Sequence, residues 1–373
     1  MRELSRDILT EAVNAFDFEG KFFDIKSYGG GHINDTFAVR FERDNGSVKR
    51  YILQRINTHV FKNPVQLMEN IVKITAHIRK VVTRNGGDPM RETLNLVPAR
   101  DGQALFIDRN GEYWRAYHFI EDTITYDKVE SIDDFYNSAR AFGKFQQLLA
   151  DFPAETLHET IPNFHNTVDR MAKFKEALDK DICGRAREVA REIEFVLSHE
   201  KDTHVLVDML NAGRLPLRVT HNDTKLNNVL IDKATGEGIC VVDLDTVMPG
   251  LSLYDYGDSI RFGATYAAED EQDLAKVNFE LDLFEAYTKG YLEVAGNVLT
   301  PCEIEHLPMG AKLITLECGI RFLTDYLSGD TYFRIHREHH NLDRCRTQFK
   351  LVSDMEKYWD DMNSIVRKYA NKL

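Results

Sequence analysis

The hydrophobic periodicity of this 373-residue chain changes once, near residues 119–124, and that change limits the possible folds more than composition does. Before it, Phe37, Val39 and Phe41 alternate with Thr36, Ala38 and Arg40, the period-two pattern of a half-buried strand. Asp44-Asn45-Gly46 accepts positive φ and turns this strand onto residues 50–56, and Asp108-Arg109-Asn110-Gly111 does the same between residues 105–107 and 113–120. Between the two hairpins, Asn63-Pro64 supplies a cap and a proline at the first helical position, and Leu67, Ile71, Ile74 and Ile78 follow at helical spacing. Beyond Glu121-Asp122 the period is helical, in residues 139–149, 168–178, 185–197, 273–294, 309–327 and 348–369. The pattern predicts an α+β, bilobal chain: a small antiparallel β lobe with one main helix over residues 1–120, and a larger helical lobe over residues 121–373, joined by a short hinge.

Composition excludes several classes. The five cysteines, Cys183, Cys240, Cys302, Cys318 and Cys345, are odd in number, scattered and without a C-x-x-C pair, so neither a disulfide framework nor a zinc cluster is expected. No stretch approaches the roughly 18 apolar residues that a membrane span needs, and the N-terminus has no apolar leader; a cytoplasmic protein is expected. A formal net charge of -13 opposes binding to a phosphate backbone. The expected partners are small molecules, with the chain a monomer or a small homo-oligomer.

The densest chemistry lies in residues 217–232, a polar loop holding His221, Asn222, Asp223, Thr224, Lys225, Asn227 and Asn228 between two β-like runs. The strand 239–242 then delivers Asp243 at its end, where a carboxylate can face a cleft. Phosphoryl transfer needs a carboxylate beside the attacking hydroxyl, oxygen ligands for magnesium, and cations on the phosphates. The spacing His221-x-Asp223-x4-Asn228 reproduces the order of a kinase catalytic loop. Asp223 is then the carboxylate for the acceptor hydroxyl, Asn228 and Asp243 are metal ligands, Lys225 is a phosphate contact, and His221 orients the loop. ATP and Mg2+ are the implied cofactors. Asp245 either supports the metal or closes the turn before Pro249.

These runs resemble the aminoglycoside phosphotransferase and choline kinase superfamily, which has the bilobal protein-kinase-like fold. Its usual H-G-D-x-x-x-x-N carries Asn222 here in place of glycine, and its later structural aspartate matches Asp255. More narrowly, the runs 30–36, 158–165, 221–225, 243–250 and 319–326 are similar to bacterial N-acetylhexosamine 1-kinases. That resemblance implies phosphorylation of the anomeric C1 hydroxyl of a free N-acetylhexosamine, with His32, Asn34, Arg321, Asp325 and Tyr332 at the sugar. Arg321 and Asp325, four apart, fit a surface ion pair equally well.

The nucleotide is expected under Gly29-Gly30-Gly31, an arrangement that an ordinary flexible turn would also produce, and against the hinge at Phe119 and Glu121. One departure from the kinase pattern concerns the strand lysine that anchors phosphates. Gln54 stands in its place with Arg55 beside it, so either Arg55 turns into the cleft or another cation serves. Glu69 is the available helix partner, although it lies off the apolar stripe. His336, His339 and His340 read as a charged, solvated segment or a metal cluster. The rivals are a kinase of another small alcohol (choline, homoserine, an aminoglycoside) and a nucleotide-binding pseudokinase, the latter suggested by the missing lysine.

Overall fold

The computed structural model describes residues 5–29 and 33–373. Its first lobe is an antiparallel sheet of β1 (Lys21–Ser27), β2 (Asp35–Glu42), β3 (Val48–Arg55), β4 (Leu96–Val97), β5 (Phe106–Ile107) and β6 (Tyr113–His118), in the order β1-β2-β3-β6-β4 with β5 beside β6. Helix α1 (Arg6–Ala15) covers one face and α2 (Pro64–Arg84) the other. The α2 signals work as expected: the Asn63 side chain accepts from the Gln66 amide at 3.2 Å, and the Leu67, Ile71, Ile74 and Ile78 stripe is buried. Helix α1 is an addition to the expected lobe. Ile8, Ala12, Val13 and Phe16 do recur at helical spacing, and all four are buried.

Alternation along the strands decides which side chains can reach the cleft. Tyr51 and Leu53 of β3, with Trp114 and Ala116 of β6, pack towards α1. Ile52 and Tyr117 pack towards α2, and Gln54 and Arg115, which share their parity, lie opposite one another in register.

Residues 119–122 lead into β7 (Thr123–Ile124), which pairs with β9 (Val229–Asp232), itself paired with β10 (Gly238–Val241). A second ladder joins β8 (Arg218–Thr220) to β11 (Met248–Gly250). These two ladders flank residues 221–228 and 243–247 at both ends, so the two loops that carry the kinase-like residues are forced side by side.

The helical lobe is built from α3 (Ile132–Leu148), α4 (Thr167–Lys180), α5 (Ala190–Ser198), α6 (Val205–Asn211), α7 (Ser252–Gly263), α8 (Leu281–Ala295), α9 (Pro301–Glu305), α10 (Leu307–Leu327), α11 (His340–Lys357) and α12 (Trp359–Ala370). Helix α10 is buried almost all round, as befits a helix through the middle of a large core. The expected segment 348–369 is two helices broken at Tyr358, and 273–294 has one 3-10 turn at Leu274–Lys276 and becomes α-helical only from Leu281. Among the described residues no helix is long and apolar enough to cross a membrane, and the five cysteines are free thiols.

Candidate active site

The catalytic loop is pinned from below by α7. Asp255, buried to 1% exposure, accepts from the amides of His221 (2.8 Å) and Asn222 (2.8 Å) and from Gln146 Nε2 (3.0 Å), which gives the later aspartate its structural role. Asn222 adopts φ 64°, in the left-handed region where asparagine is the best tolerated residue after glycine. This explains how it can stand where relatives usually have glycine. It also adds something glycine lacks: its Nδ2 donates to the Thr246 carbonyl at 2.8 Å, tying the catalytic loop to the neighbouring one. His221 Nε2 donates to the Val242 carbonyl at 2.8 Å while Nδ1 accepts from the Asp223 amide at 3.3 Å. Both ring nitrogens are occupied and the residue is fully buried, so His221 orients the loop.

Asp223 projects beyond this scaffold. Its Oδ1 lies 2.8 Å from Lys225 Nζ, and Asn228 Nδ2 donates to its carbonyl at 2.8 Å. Burial pulls the Lys225 pKa down, but Asp223, and beyond it Asp258, more than reverse this and leave the ammonium favoured. Asp243 sits at φ 59° and is exposed. Although water reaches its carboxylate, the protein crowded around it and the charges of Asp245 and Asp223 push its pKa up to about 6. Asp245 differs: it is buried, and its two oxygens accept from Arg115 Nη1 and from Asn34 Nδ2 (2.5 Å). The geometry gives it the task of holding the loop across the two lobes.

On the β-lobe side, Gly29 has φ 77° and open space about it, while Gly30 and Gly31 lie outside the described residues. Phe119 lies under the Arg50 guanidinium, 3.8 Å from the ring centroid, with Tyr28 edge-on at 5.5 Å. The Glu121 carboxylate is taken by Arg50. Arg55 corrects one expectation: strand alternation puts it on the α1 side, paired in register with Asp35, whose Oδ2 accepts from its Nε at 2.9 Å. It does not turn into the cleft. Gln54 does face α2, where its Oε1 accepts from Arg115 Nε at 2.9 Å, so the buried cation here comes from β6. Glu69 is no partner for that cation; it pairs with His158 at 2.5 Å.

On the opposite side of Asp223, Thr224 donates its amide to Asp258 Oδ2 at 2.9 Å, and Asp258, whose pKa burial raises but Arg261, Lys225 and His165 together pull below its ordinary value, leads to a buried polar wall. There His165 Nδ1 lies 3.0 Å from Glu317 Oε2, Arg170 Nε 3.7 Å and Arg321 Nη1 3.9 Å from Glu317 Oε1, and the Arg321 guanidinium lies between the rings of Phe164 and Phe333, 5.4 Å from each. Burial and the Arg321 charge hold the Arg170 pKa below its ordinary value. Arg321 is therefore part of a buried network, and a surface ion pair with Asp325 is not what it forms. Asp325 instead accepts from the amides of Thr331 (2.9 Å), Tyr332 (2.8 Å) and Phe333 (2.9 Å) and from Asn341 (2.9 Å). With its oxygens so engaged, it shapes the loop that presents the 70% exposed Tyr332 and is not free to grip a sugar. His32 lies outside the described residues. His336, His339 and His340 do not converge as a metal cluster: His340 pairs with Asp270 (2.9 Å) and His339 with the Tyr326 hydroxyl (2.8 Å).

Sequence reasoning missed Arg115, Asp258, His165 and Glu317 as parts of this centre. His165 lies within the run 158–165, whereas nothing local in the sequence marks the others.

An antiparallel lobe over a helical one, with these loops between them, is the architecture of kinase-like phosphotransferases, and solved structures share it. The microcompartment-associated aminopropanol kinase is similar over 96% of this chain and 99% of its own (16% identity, TM-score 0.56). An aminoglycoside phosphotransferase from Alicyclobacillus acidocaldarius subsp. acidocaldarius is similar over 100% and 99% (12%, 0.58), and a choline/ethanolamine kinase family protein from Mesorhizobium loti over 93% of each (16%, 0.51). At these identities the likeness is one of fold. The chain belongs to the phosphotransferase enzyme family, whose sequence model matches residues 24–292.

Proposed function

We propose that this chain is a magnesium-dependent kinase that transfers the γ-phosphoryl group of ATP to the anomeric C1 hydroxyl of a free N-acetylhexosamine. The observation that carries the kinase reading is the convergence of Asp223, Lys225, Asn228 and Asp243 on one cleft from two loops held together by paired strands. The Asn228 amide oxygen and the Asp243 carboxylate are hard oxygen donors, the set that suits Mg2+. When bound there, the ion would neutralise charge on the nucleotide phosphates. Residues 1–120 would hold the nucleotide, with its base near Phe119 and its phosphates towards Gly29, and residues 121–373 would carry the catalytic loops and the acceptor.

Asp223 orients the C1 hydroxyl and accepts its proton as O1 attacks the γ-phosphorus and ADP departs; Lys225, beside it, meets the charge of the transferring group. A hemiacetal hydroxyl is more acidic than an ordinary alcohol, so late proton transfer suffices. Support for the sugar comes from the wall beyond Asp258: the runs 158–165 and 319–326, far apart in sequence, meet there through Phe164 and Arg321. The Arg170 and Arg321 guanidiniums beside Glu317 supply donors for an acetamido oxygen. Buried polar groups left unpaired by a sugar lacking that oxygen would provide selectivity.

The test offers N-acetylglucosamine and N-acetylgalactosamine beside their methyl glycosides and assigns products by phosphorus-carbon coupling. Free sugars should give 1-phosphates and the glycosides nothing. A 6-phosphate or a phosphorylated glycoside would refute the anomeric assignment.

A further inference from the structure

We infer that Arg115, on β6, takes over the work of the phosphate-lobe lysine that kinases carry on the strand occupied here by β3, and that it does so as a positioning residue acting through Asp245. The inference rests on the kinase reading above. Arg115 is 1% exposed and directly opposite Gln54 in the β3–β6 register. Two of its guanidinium nitrogens are engaged. Nε donates to Gln54 Oε1 at 2.9 Å, Nη1 donates to Asp245 Oδ1, and the Met68 sulfur of α2 lies 3.9 Å from Nη1.

Gln54 is matched to this arrangement from the other end. Its Nε2 donates to Thr36 Oγ1 at 3.0 Å, which leaves Oε1 facing the guanidinium. A lysine at position 54 would instead confront Arg115 with a second cation, so the glutamine and the arginine form a pair: position 54 is neutral and its cross-strand neighbour carries the charge. A buried ion pair is a poor stabiliser compared with apolar packing of the same volume. Its placement against the loop that carries Asp243 points to a role in shaping that loop. With both Asp245 oxygens held from the nucleotide lobe, by Arg115 and Asn34, Asp243 two residues earlier is the exposed member of the two.

The experiment titrates wild type, Arg115→Gln, Arg115→Met and the relocated-charge variant Gln54→Lys/Arg115→Gln with the non-hydrolysable nucleotide AMP-PNP, with Mg2+ and with EDTA, by calorimetry, and follows acceptor KM and thermal unfolding in parallel. Arg115→Gln should weaken Mg2+-dependent nucleotide binding at least tenfold while leaving the acceptor KM within twofold. The double variant should return binding to within threefold of wild type, a recovery that a merely structural arginine would not permit. Arg115→Met, which removes the donors outright and leaves Gln54 Oε1 and Asp245 Oδ1 unpaired, is read in the same way should the glutamine variant fail to fold. A folded neutral variant that binds Mg2+ and nucleotide within twofold of wild type overturns the inference, as does a folded double variant without recovery. Failure of the kinase reading would look different, since wild type itself would not bind nucleotide in a metal-dependent manner.

Discussion

Replacing Asn222 by glycine and, separately, by alanine divides its contribution into two measurable parts. Both changes delete the 2.8 Å bond from Nδ2 to the Thr246 carbonyl and leave that acceptor without its partner, a loss of about 1–3 kcal/mol. Glycine accepts φ 64° without strain. Alanine brings a Cβ into left-handed backbone with no polar side chain to compensate, which adds roughly 1 kcal/mol even after the unfolded-state entropy of glycine is counted. The expected order of stability is wild type, then glycine at about 2 kcal/mol below, then alanine at about 3 kcal/mol below. Urea unfolding reads this as falling midpoints at unchanged slope. Turnover should drop in both variants by a similar factor, because both release the same tie between the catalytic loop and residues 243–247. Equal midpoints for the two variants would refute the strain argument, and a glycine variant as stable as wild type would refute the cross-loop bond.

Asp223→Asn should cut turnover on the order of 100- to 10,000-fold with AMP-PNP affinity by calorimetry within a few-fold of wild type; near-normal turnover would remove Asp223 from the chemistry. Asn228→Ala and Asp243→Ala should each raise the Mg2+ concentration needed for half-maximal activity, Asp243 more because it supplies formal charge, and unchanged magnesium titrations would make both residues structural. Since the Asp243 pKa is pushed up to about 6, protons compete with the ion below that pH. The half-saturating Mg2+ of the wild type should therefore rise on going from pH 7 to pH 5, and a flat dependence would argue against Asp243 as a ligand. Asp325→Ala, which frees the amides of Thr331, Tyr332 and Phe333, should cost roughly 2–4 kcal/mol of stability, whereas a direct sugar-contact role would show as a raised acceptor KM at unchanged unfolding midpoint.

The parts of this molecule that were legible in sequence are those written locally. His221, Asp223 and Asn228 fall within eight residues, and their spacing alone carries the loop; the Asn63-Pro64 cap and the stripe after it mark α2 just as directly. What required the structure depends on register and close approach. No local pattern shows that residue 54 faces residue 115 across two strands, so the origin of the buried cation could not be read from Gln54 and Arg55. Helix α7 was hidden by Gly257 and Gly263, poor helix formers whose presence has a packing cause: a Cβ at Gly257 would lie 2.4 Å from the Gly310 carbonyl, and one at Gly263 would lie 2.2 Å from the Phe135 ring. Asp325 looked like a substrate contact because it resembles one in sequence, and only the three amides folded round it reveal its scaffolding role.

The exchange of lysine for glutamine on β3 also changes how the chain would answer to chemical labelling. A reagent that delivers an activated acyl group from a nucleotide phosphate needs an amine, and here the strand position offers the Gln54 amide beside a buried guanidinium, neither of which acylates readily. The amine beside the catalytic carboxylate is Lys225, with Nζ 2.8 Å from Asp223 Oδ1. A labelling survey built around the strand lysine would pass over this enzyme, and a tag recovered on Lys225 would report on the catalytic loop.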